Sequence, residues 1–321
     1  MKILRAFSDL ERKGAGAVVT IGVYDGVHRG HVAVLRLVRE LADARGLRAA
    51  CVTFDRHPAE VVRPQSAPKL LTTLEQRLEL LDATGYLDAC FVLAFDEVRS
   101  KEPAEEFVRE VLVDGFRARL VVVGADFHFG HGRGGNVPLL ERMGAELGFG
   151  VVGLGLVAAE EDPTGVPYSS THIRELVAAG DVAEAARLLG RPHEVRGTVE
   201  VGDRRGRHLG YPTANLAVPQ QICLPADGVY AGTLVDAAEP DGDGVERPAA
   251  VSLGTRPTFH AQAASLLEAY VLDFDGDLYG HYVKVRFLER LRGQERFDSA
   301  SALVDQMARD VEATRRLVEA F

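Results

Sequence analysis

Lysine is scarce in this chain of 321 residues: Lys2, Lys13, Lys69, Lys101 and Lys284 are all it contains. None closes a glycine-rich loop, which excludes a phosphate loop of the Walker type, and no GxGxxG fingerprint is present either. Cysteine is also sparse. Cys51, Cys90 and Cys223 lie far apart, in no CxxC or metal-ligand spacing, so the expectation is reduced, buried thiols. No apolar run reaches the roughly 20 residues needed to span a bilayer. The N-terminal stretch MKILRAFSDLERK lacks the apolar core of a signal peptide. These absences predict a cytoplasmic protein without a membrane partner. Basic residues are outnumbered, 37 against 47 acidic, for a net charge of −10, and arginine carries nearly all the positive charge. With no stretch of interleaved basic and aromatic residues, a general nucleic-acid binder is not expected. An anionic small ligand remains compatible, because a pocket's local field outweighs the total charge.

What is present is ample core material. Hydrophobic residues make up 46% and charged residues 26%, enough for two globular domains at this length. The first half alternates strand and helix signals. Ala17 to Val23 reads as a buried strand, followed by a helix with Val34, Val38, Leu41 and Ala42 on one face and Gly46 as its stop. A strand at Leu47 to Phe54 precedes a helix opened by Thr73 and Gln76 at capping-box spacing, with Leu74, Leu78 and Leu81 along it. Cys90 to Phe95 is a third strand, Pro103 begins a helix carrying Phe107, Val108, Val111 and Leu112, and Leu120 to Gly124 and Gly150 to Val157 complete the series. This alternation predicts an α/β domain with a parallel sheet covered on both faces.

The texture changes near Ser169. Short helices are expected after Ser170 and from Asp181, before Gly190, Arg191 and Pro192 break the pattern. From Val195 to Leu288 short β-rich runs alternate with Gly, Pro and Asp, and Asp275-Gly276 is a hairpin signal between Leu267–Asp273 and His281–Leu288. The end is helical, with Leu303, Met307, Val311, Leu317 and Phe321 in register. The second domain is therefore predicted as an antiparallel β-barrel or sandwich closed by a C-terminal helix. The seam is placed between residues 186 and 187, giving domains 1–186 and 187–321.

Three segments of the first half carry chemistry. In Gly22-Val23-Tyr24-Asp25-Gly26-Val27-His28-Arg29-Gly30-His31, a strand ends and a helix begins, and free amides and the helix dipole favour phosphate there. His28 and His31 share one face of the first turn, and Gly30 lets a ligand approach the backbone. Two imidazoles so placed suit the charge that grows in nucleotidyl transfer; a histidine-capped helix is the plain alternative. The same tetrapeptide type occurs in class I aminoacyl-tRNA synthetases, whose lysine-rich second motif is missing here. Ser170, Thr171 and Arg174 at a helix start suit a polyphosphate. Gly124-Ala125-Asp126-Phe127-His128-Phe129-Gly130 follows a strand, where the crevice of such sheets lies.

In the second half, Gly206, Arg207 and Gly210 precede Pro212-Thr213-Ala214-Asn215. Thr213 and Asn215 offer neutral oxygens two residues apart, which face one way in extended chain and suit Mg²⁺ beside phosphate. Glu268 stands in the otherwise apolar Leu266–Leu272 run, sharing a face with Tyr270 and Leu272. A carboxylate there is either at a sheet edge facing water or held at a site, and partial burial would suit a general base.

Taken in order, the GVYDGVHRGH, GADFHFG and SSTHIR segments resemble the adenylyltransferase half of the bacterial bifunctional riboflavin kinase/FAD synthetases. RGRHLGYPTAN, Gly228-Val229-Tyr230-Ala231, Gly254-Thr255-Arg256-Pro257-Thr258-Phe259 and the Glu268 strand resemble its kinase half. The resemblance implies a Rossmann-like nucleotidyltransferase domain and a six-stranded barrel. ATP would phosphorylate riboflavin to FMN, releasing ADP, and adenylylate FMN to FAD, releasing pyrophosphate. It further implies that Thr213 and Asn215 hold Mg²⁺–ATP with Gly206, Arg207 and Gly210, and that Glu268 takes the ribityl proton. In the other module His28 and His31 would stabilise AMP transfer, and Gly22, Tyr24, Asp25, Gly30, Ser170, Thr171 and Arg174 would hold ATP. Asp126, Phe127 and Phe129 would meet the flavin. Tyr24, Arg56, Asn136, His172, Val201 and Ser252 depart from the family's usual residues. The sequence leaves homo-oligomer formation open.

Overall fold

A computed structural model describes residues 1–10, 15–155, 168–202, 210–236, 244–255 and 265–321. Gly206, Arg207, the Arg256–Phe259 part of the glycine-threonine motif, residue Val157 and most of the polar insertion after Asp236 lie outside them. The chain forms two compact units, Met1–Ser170 and Thr171–Phe321.

The first unit is built on six parallel strands: β1 (Lys2–Leu4), β2 (Ala17–Ile21), β3 (Arg48–Phe54), β4 (Ala89–Leu93), β5 (Ala118–Gly124) and β8 (Gly150–Leu154), in the order β1-β4-β3-β2-β5-β8. All five residues of β2 are buried, as expected for a strand covered on both faces. The sheet grows from β2 first through β3 to β4 and then, on the opposite side, through β5 to β8. The order therefore reverses at β2. A crevice opens at such a switch point, outside the carboxyl ends of the strands. A small ribbon, β6 (His128–Phe129) with β7 (Gly135–Asn136), stands beyond β5.

Helix α1 (Arg29–Asp43) buries Leu35, Val38 and Ala42, the expected apolar face. After the short α2 (Pro58–Val62), α3 (Leu74–Ala83) starts with a reciprocal capping box: Gln76 N donates to Thr73 Oγ1 at 3.2 Å and Thr73 N to Gln76 Oε1 at 2.9 Å. Helix α4 (Ala104–Phe107) continues as wider π-type turns to Gly115, and α5 (Val137–Leu147) ends at Gly148 in the left-handed region, φ 84°. Cys51 and Cys90 are buried register partners on β3 and β4, and Cys223 is buried in the second unit; all three are free thiols.

The second unit opens with α6 (Ser170–Ala179), which begins on the last residue of the first unit, and α7 (Val182–Leu189). These two helices, expected to close the first domain, fall in the second unit, where α7 packs on strands of the barrel. Asp181 caps α7 by accepting Glu184 N at 3.1 Å. The barrel is closed and antiparallel, in the order β10-β13-β12-β11-β14-β9. Its strands are β9 (His193–Glu200), β10 (Ala214–Ala217), β11 (Gly228–Asp236), β12 (Glu246–Thr255), β13 (Ser265–Val271) and β14 (Tyr282–Arg292). Leu216, Leu267, Leu253, Val285 and Phe287 fill it.

One expectation is corrected. Asp275-Gly276 does not join a hairpin: β13 pairs with β10 and β12, whereas β14 pairs with β9 and β11. Asp-Gly is a local turn signal, but closure of the barrel decides the pairing, and the connection from Val271 to Tyr282 is too long for a two-residue turn. The terminal helix α8 (Ala300–Ala320) packs on β11, β12 and β14 through a face centred on Asp310 and Thr314, while Phe321 is exposed. Arg292 on β14 explains the polar centre. Its Nε and Nη2 donate to the Asp310 carboxylate at 3.1 and 2.8 Å, and Gln306 Nε2 adds a bond of 2.9 Å. Truncating one partner of a buried bidentate pair leaves the other charge uncompensated. Asp310→Ala is therefore expected to cost about 3–5 kcal/mol, read as a lower urea midpoint for the barrel transition.

Candidate functional sites

In the first unit the chain leaves β2 at the switch point and makes a tight turn into α1. The turn is forced into positive φ at Tyr24 (54°), Gly26 (82°) and Val27 (40°). Left-handed conformations at two residues other than glycine cost about 1–3 kcal/mol each and persist only where the surroundings over-determine them. His28 then caps α1, its Nδ1 accepting from His31 N at 3.3 Å. The two imidazoles stack with centroids 3.6 Å apart and planes 18° apart. Tyr24 meets the His31 ring edge-on at 5.1 Å, and its hydroxyl shares a buried hydrogen bond of 2.7 Å with Thr20 Oγ1. Burial pushes the Tyr24 hydroxyl well above the usual phenol range, so it stays neutral.

A cavity of about 270 Å³ opens over these rings, lined by Gly22, Tyr24, His28, Gly30, His31 and, across it, Asp126 and Ser170. The structure thus brings together most of the residues expected for ATP. Ser170 Oγ donates to the Asp25 carbonyl at 2.9 Å, tying the serine segment to the turn. Thr171 and Arg174 lie on α6 in the second unit, where Arg174 Nη1 donates to Thr171 Oγ1 at 3.4 Å. Asp25 is not among the lining residues. Its carboxylate is buried and accepts from Leu71 N, Thr72 N and Thr72 Oγ1 at 3.0–3.2 Å, which makes it a structural pin.

A second, larger cavity of about 750 Å³ shares Ile21 and Gly22 with the first. Phe127 and Phe129 line it, their rings stacked at 5.3 Å and 16°. Phe54, Val61, Leu93 and Phe95 complete its apolar walls, and Arg99, Lys101 and Arg133 bring cations to it. Sequence reasoning missed Phe54, Leu93 and Phe95. Their signal was available, because they end or follow β3 and β4 on the same edge as the β2 turn.

In the barrel, Asn215 lies opposite Glu268, and Glu268 opposite Ser252, in register across β10, β13 and β12. Directly paired residues project to one face, with Cβ atoms roughly 5 Å apart. Leu267, Ala269 and Val271 point inward, so Glu268 and Asn215 share the outer face, where Glu268 is half-buried as expected. Asn215 Nδ2 turns to the Thr213 carbonyl at 3.5 Å, and its buried Oδ1 has no hydrogen-bond partner among the described residues. A Cβ on Gly202 would come within 2.4 Å of the Asn215 amide, so any larger residue there would displace that amide. An orphaned neutral oxygen beside Thr213 fits a hard cation that brings its own waters and phosphate ligands. Thr213, Asn215 and Gly202 line a cavity of about 370 Å³ together with Phe274, Asp275 and Tyr279; Glu268 is not among its lining residues. Gly210, at φ 84°, holds the chain entering this segment in a conformation that favours glycine.

A parallel sheet with a crevice at its switch point, followed by a closed antiparallel barrel, is the architecture expected of a two-module transferase. The comparisons agree. The family model for FAD synthetase matches residues 10–169 and that for riboflavin kinase residues 189–318. A bifunctional riboflavin kinase/FMN adenylyltransferase from Pseudomonas fluorescens is 37% identical over 317 residues, 99% of this chain and 98% of its own. The protein of the same description from Escherichia coli K12 is 36% identical over 311 residues, 97% and 96% of the two chains. A crystal structure described as a macrolide-efflux protein from Streptococcus pneumoniae is 30% identical, covers 98% of this chain and 99% of its own, and superposes with a TM-score of 0.85. No described helix is long and apolar enough to cross a membrane. The chain belongs to the bifunctional riboflavin kinase/FMN adenylyltransferase family.

Gly30 offers a test of the first cavity. A Cβ there would lie 2.8 Å from Tyr168 Cβ and 3.2 Å from the His28 ring. Gly30→Ala is expected to lower FAD formation from FMN at least about tenfold by displacing the imidazole. Riboflavin phosphorylation, assayed on the same preparation, is expected to be unchanged.

Proposed function

We propose that the chain makes FMN and then FAD, each step drawing on ATP, with the residues named above in defined roles. The observation that carries this reading is the presence of two unlike sites: stacked imidazoles at the sheet's switch point, and the Asn215–Glu268 pair on the barrel. In the barrel Glu268 accepts the proton of the terminal ribityl hydroxyl as that oxygen attacks the γ-phosphorus of ATP and ADP departs. Mg²⁺ at Thr213 and Asn215 would neutralise charge on the phosphates. Gly206, Arg207 and Gly210 are assigned to the nucleotide on the strength of the sequence motif.

In the first unit the FMN phosphate attacks the α-phosphorus of ATP and pyrophosphate leaves. His28 and His31, at the positive end of α1, donate hydrogen bonds to the oxygens on which charge accumulates. Gly22, Tyr24, Gly30 and Ser170 shape the nucleotide cavity; the roles of Thr171 and Arg174 at the triphosphate rest on the sequence motif. The flavin occupies the larger cavity against Phe127 and Phe129, near Asp126. We assign residues 1–186 to adenylyl transfer and 187–321 to phosphorylation on the strength of the sequence motifs, since the SSTHIR segment at the start of α6 belongs to the adenylyltransferase set. A cytoplasmic location, where the ATP is, accompanies this reading.

Purified protein incubated with riboflavin, ATP and Mg²⁺ should yield both FMN and FAD on chromatography. Glu268→Gln should lower FMN formation by about 10²–10⁴-fold yet convert supplied FMN to FAD; His28→Ala should accumulate FMN. A Glu268 variant that still phosphorylates riboflavin at the wild-type rate overturns its role. Asn215→Leu should raise the Mg²⁺ concentration needed for half-maximal riboflavin phosphorylation, measured by metal titration, while FMN adenylylation keeps its own metal dependence.

A further inference from the structure

Arg77 is only 2% exposed, although it carries a charge and sits on the apolar side of α3 beside Leu78 and Leu81. Burying a guanidinium is costly unless it is paired and fully bonded. Here the bonding is incomplete: Nη1 donates to the Val23 carbonyl at 2.7 Å and to Thr53 Oγ1 at 3.2 Å, while the buried Nε has no hydrogen-bond partner among the described residues. Burial holds the Arg77 pKa below its usual value, and the nearby Asp25 carboxylate opposes that shift. A leucine would satisfy the core at lower cost, so the charge serves something other than packing.

What it touches is the turn that carries His28. Val23 immediately precedes the positive-φ Tyr24, and its carbonyl receives both Arg77 and the Thr53 hydroxyl, the latter at 3.1 Å. Two residues further on, Asp25 is fixed by the amides of Leu71 and Thr72, and Gly26 N donates to Thr72 Oγ1 at 3.1 Å. The segment 71–77 thus grips the turn at 23, 25 and 26, and none of its residues is among those lining the nucleotide cavity. Arg77 is the one cation in this grip, and a charged donor to a carbonyl is roughly twice as strong as a neutral one.

We propose that Arg77 is a positioning residue for adenylyl transfer: by clamping the Val23 carbonyl it holds the strained Tyr24–Val27 turn in the conformation that stacks His28 on His31. The proposal rests on the reading of that site as the adenylyltransferase centre. Arg77 does not line the nucleotide cavity, so its loss should act on turnover more than on nucleotide binding.

The test compares wild type, Arg77→Met, Arg77→Lys and Thr53→Val in the full-length protein, measuring kcat and KM for FAD formation from FMN, riboflavin phosphorylation and thermal unfolding. Thr53→Val removes one donor to Val23 without changing volume, and it guards against a failure of Arg77→Met to fold. The expected result is a kcat for FAD lowered about 10–100-fold in Arg77→Met. KM for ATP should change less than threefold, Arg77→Lys should recover part of the rate, and Thr53→Val should show a smaller loss in the same direction. Phosphorylation should be unaffected in all three variants. If folded Arg77→Met and Thr53→Val keep wild-type kcat and only melt earlier, the residue is structural and the proposal is wrong. If wild type itself makes no FAD from FMN, the reading of the site fails instead.

Discussion

The strand-to-helix turn at the end of β2 is the constraint on which the first unit depends. A parallel sheet that reverses its order at β2 opens a crevice there. To use it, the chain must pass from an extended strand into a helix within a few residues and still aim two imidazoles into the opening. The cost is positive φ at Tyr24 and Val27, and it is met by hydrogen bonds to Val23, Asp25 and Gly26 from residues far along the chain. Thus β2, α1 and the segment before α3 act as one device whose output is the position of the His28–His31 stack.

The barrel solves a related problem by other means. Antiparallel register itself sets Asn215 beside Glu268, one strand apart. Alternation then sends Leu267 and Ala269 inward and leaves the polar pair on the outside. A slip of one residue in β13 would bury Glu268 in the barrel and expose the leucine. The core of the barrel and the geometry of its site are therefore fixed by the same register.

Much of this was legible in the amino-acid sequence. The alternating periods give the parallel sheet, and the Thr73–Gln76 spacing gives the start of α3 with both of its cap bonds. Glu268 is recognisable as a lone carboxylate in an apolar run. What escaped depends on partners distant in the chain. Asp25 looks like a phosphate ligand in isolation, and only the fold brings Leu71 and Thr72 to its carboxylate. The Asp275-Gly276 signal is local, whereas closure of the barrel is not, so the expected hairpin gave way to pairing with β9 and β11. The face of α8 was read from its apolar residues, but Arg292 on a neighbouring strand makes Asp310 its buried centre. Arg77 went unremarked in the sequence, because its role depends on the Val23 carbonyl, which only the fold brings to its guanidinium.

The central claim is that the imidazole pair on this pinned turn meets the nucleotide that donates AMP. Its most direct test is nuclear magnetic resonance of protein labelled with ¹⁵N-histidine, titrated with FMN and an ATP analogue that cannot transfer AMP. The ring resonances of His28 and His31, assigned by single substitution, should move together, with a midpoint matching calorimetric binding to the first unit. Saturation of the protein with both rings unmoved would contradict the account.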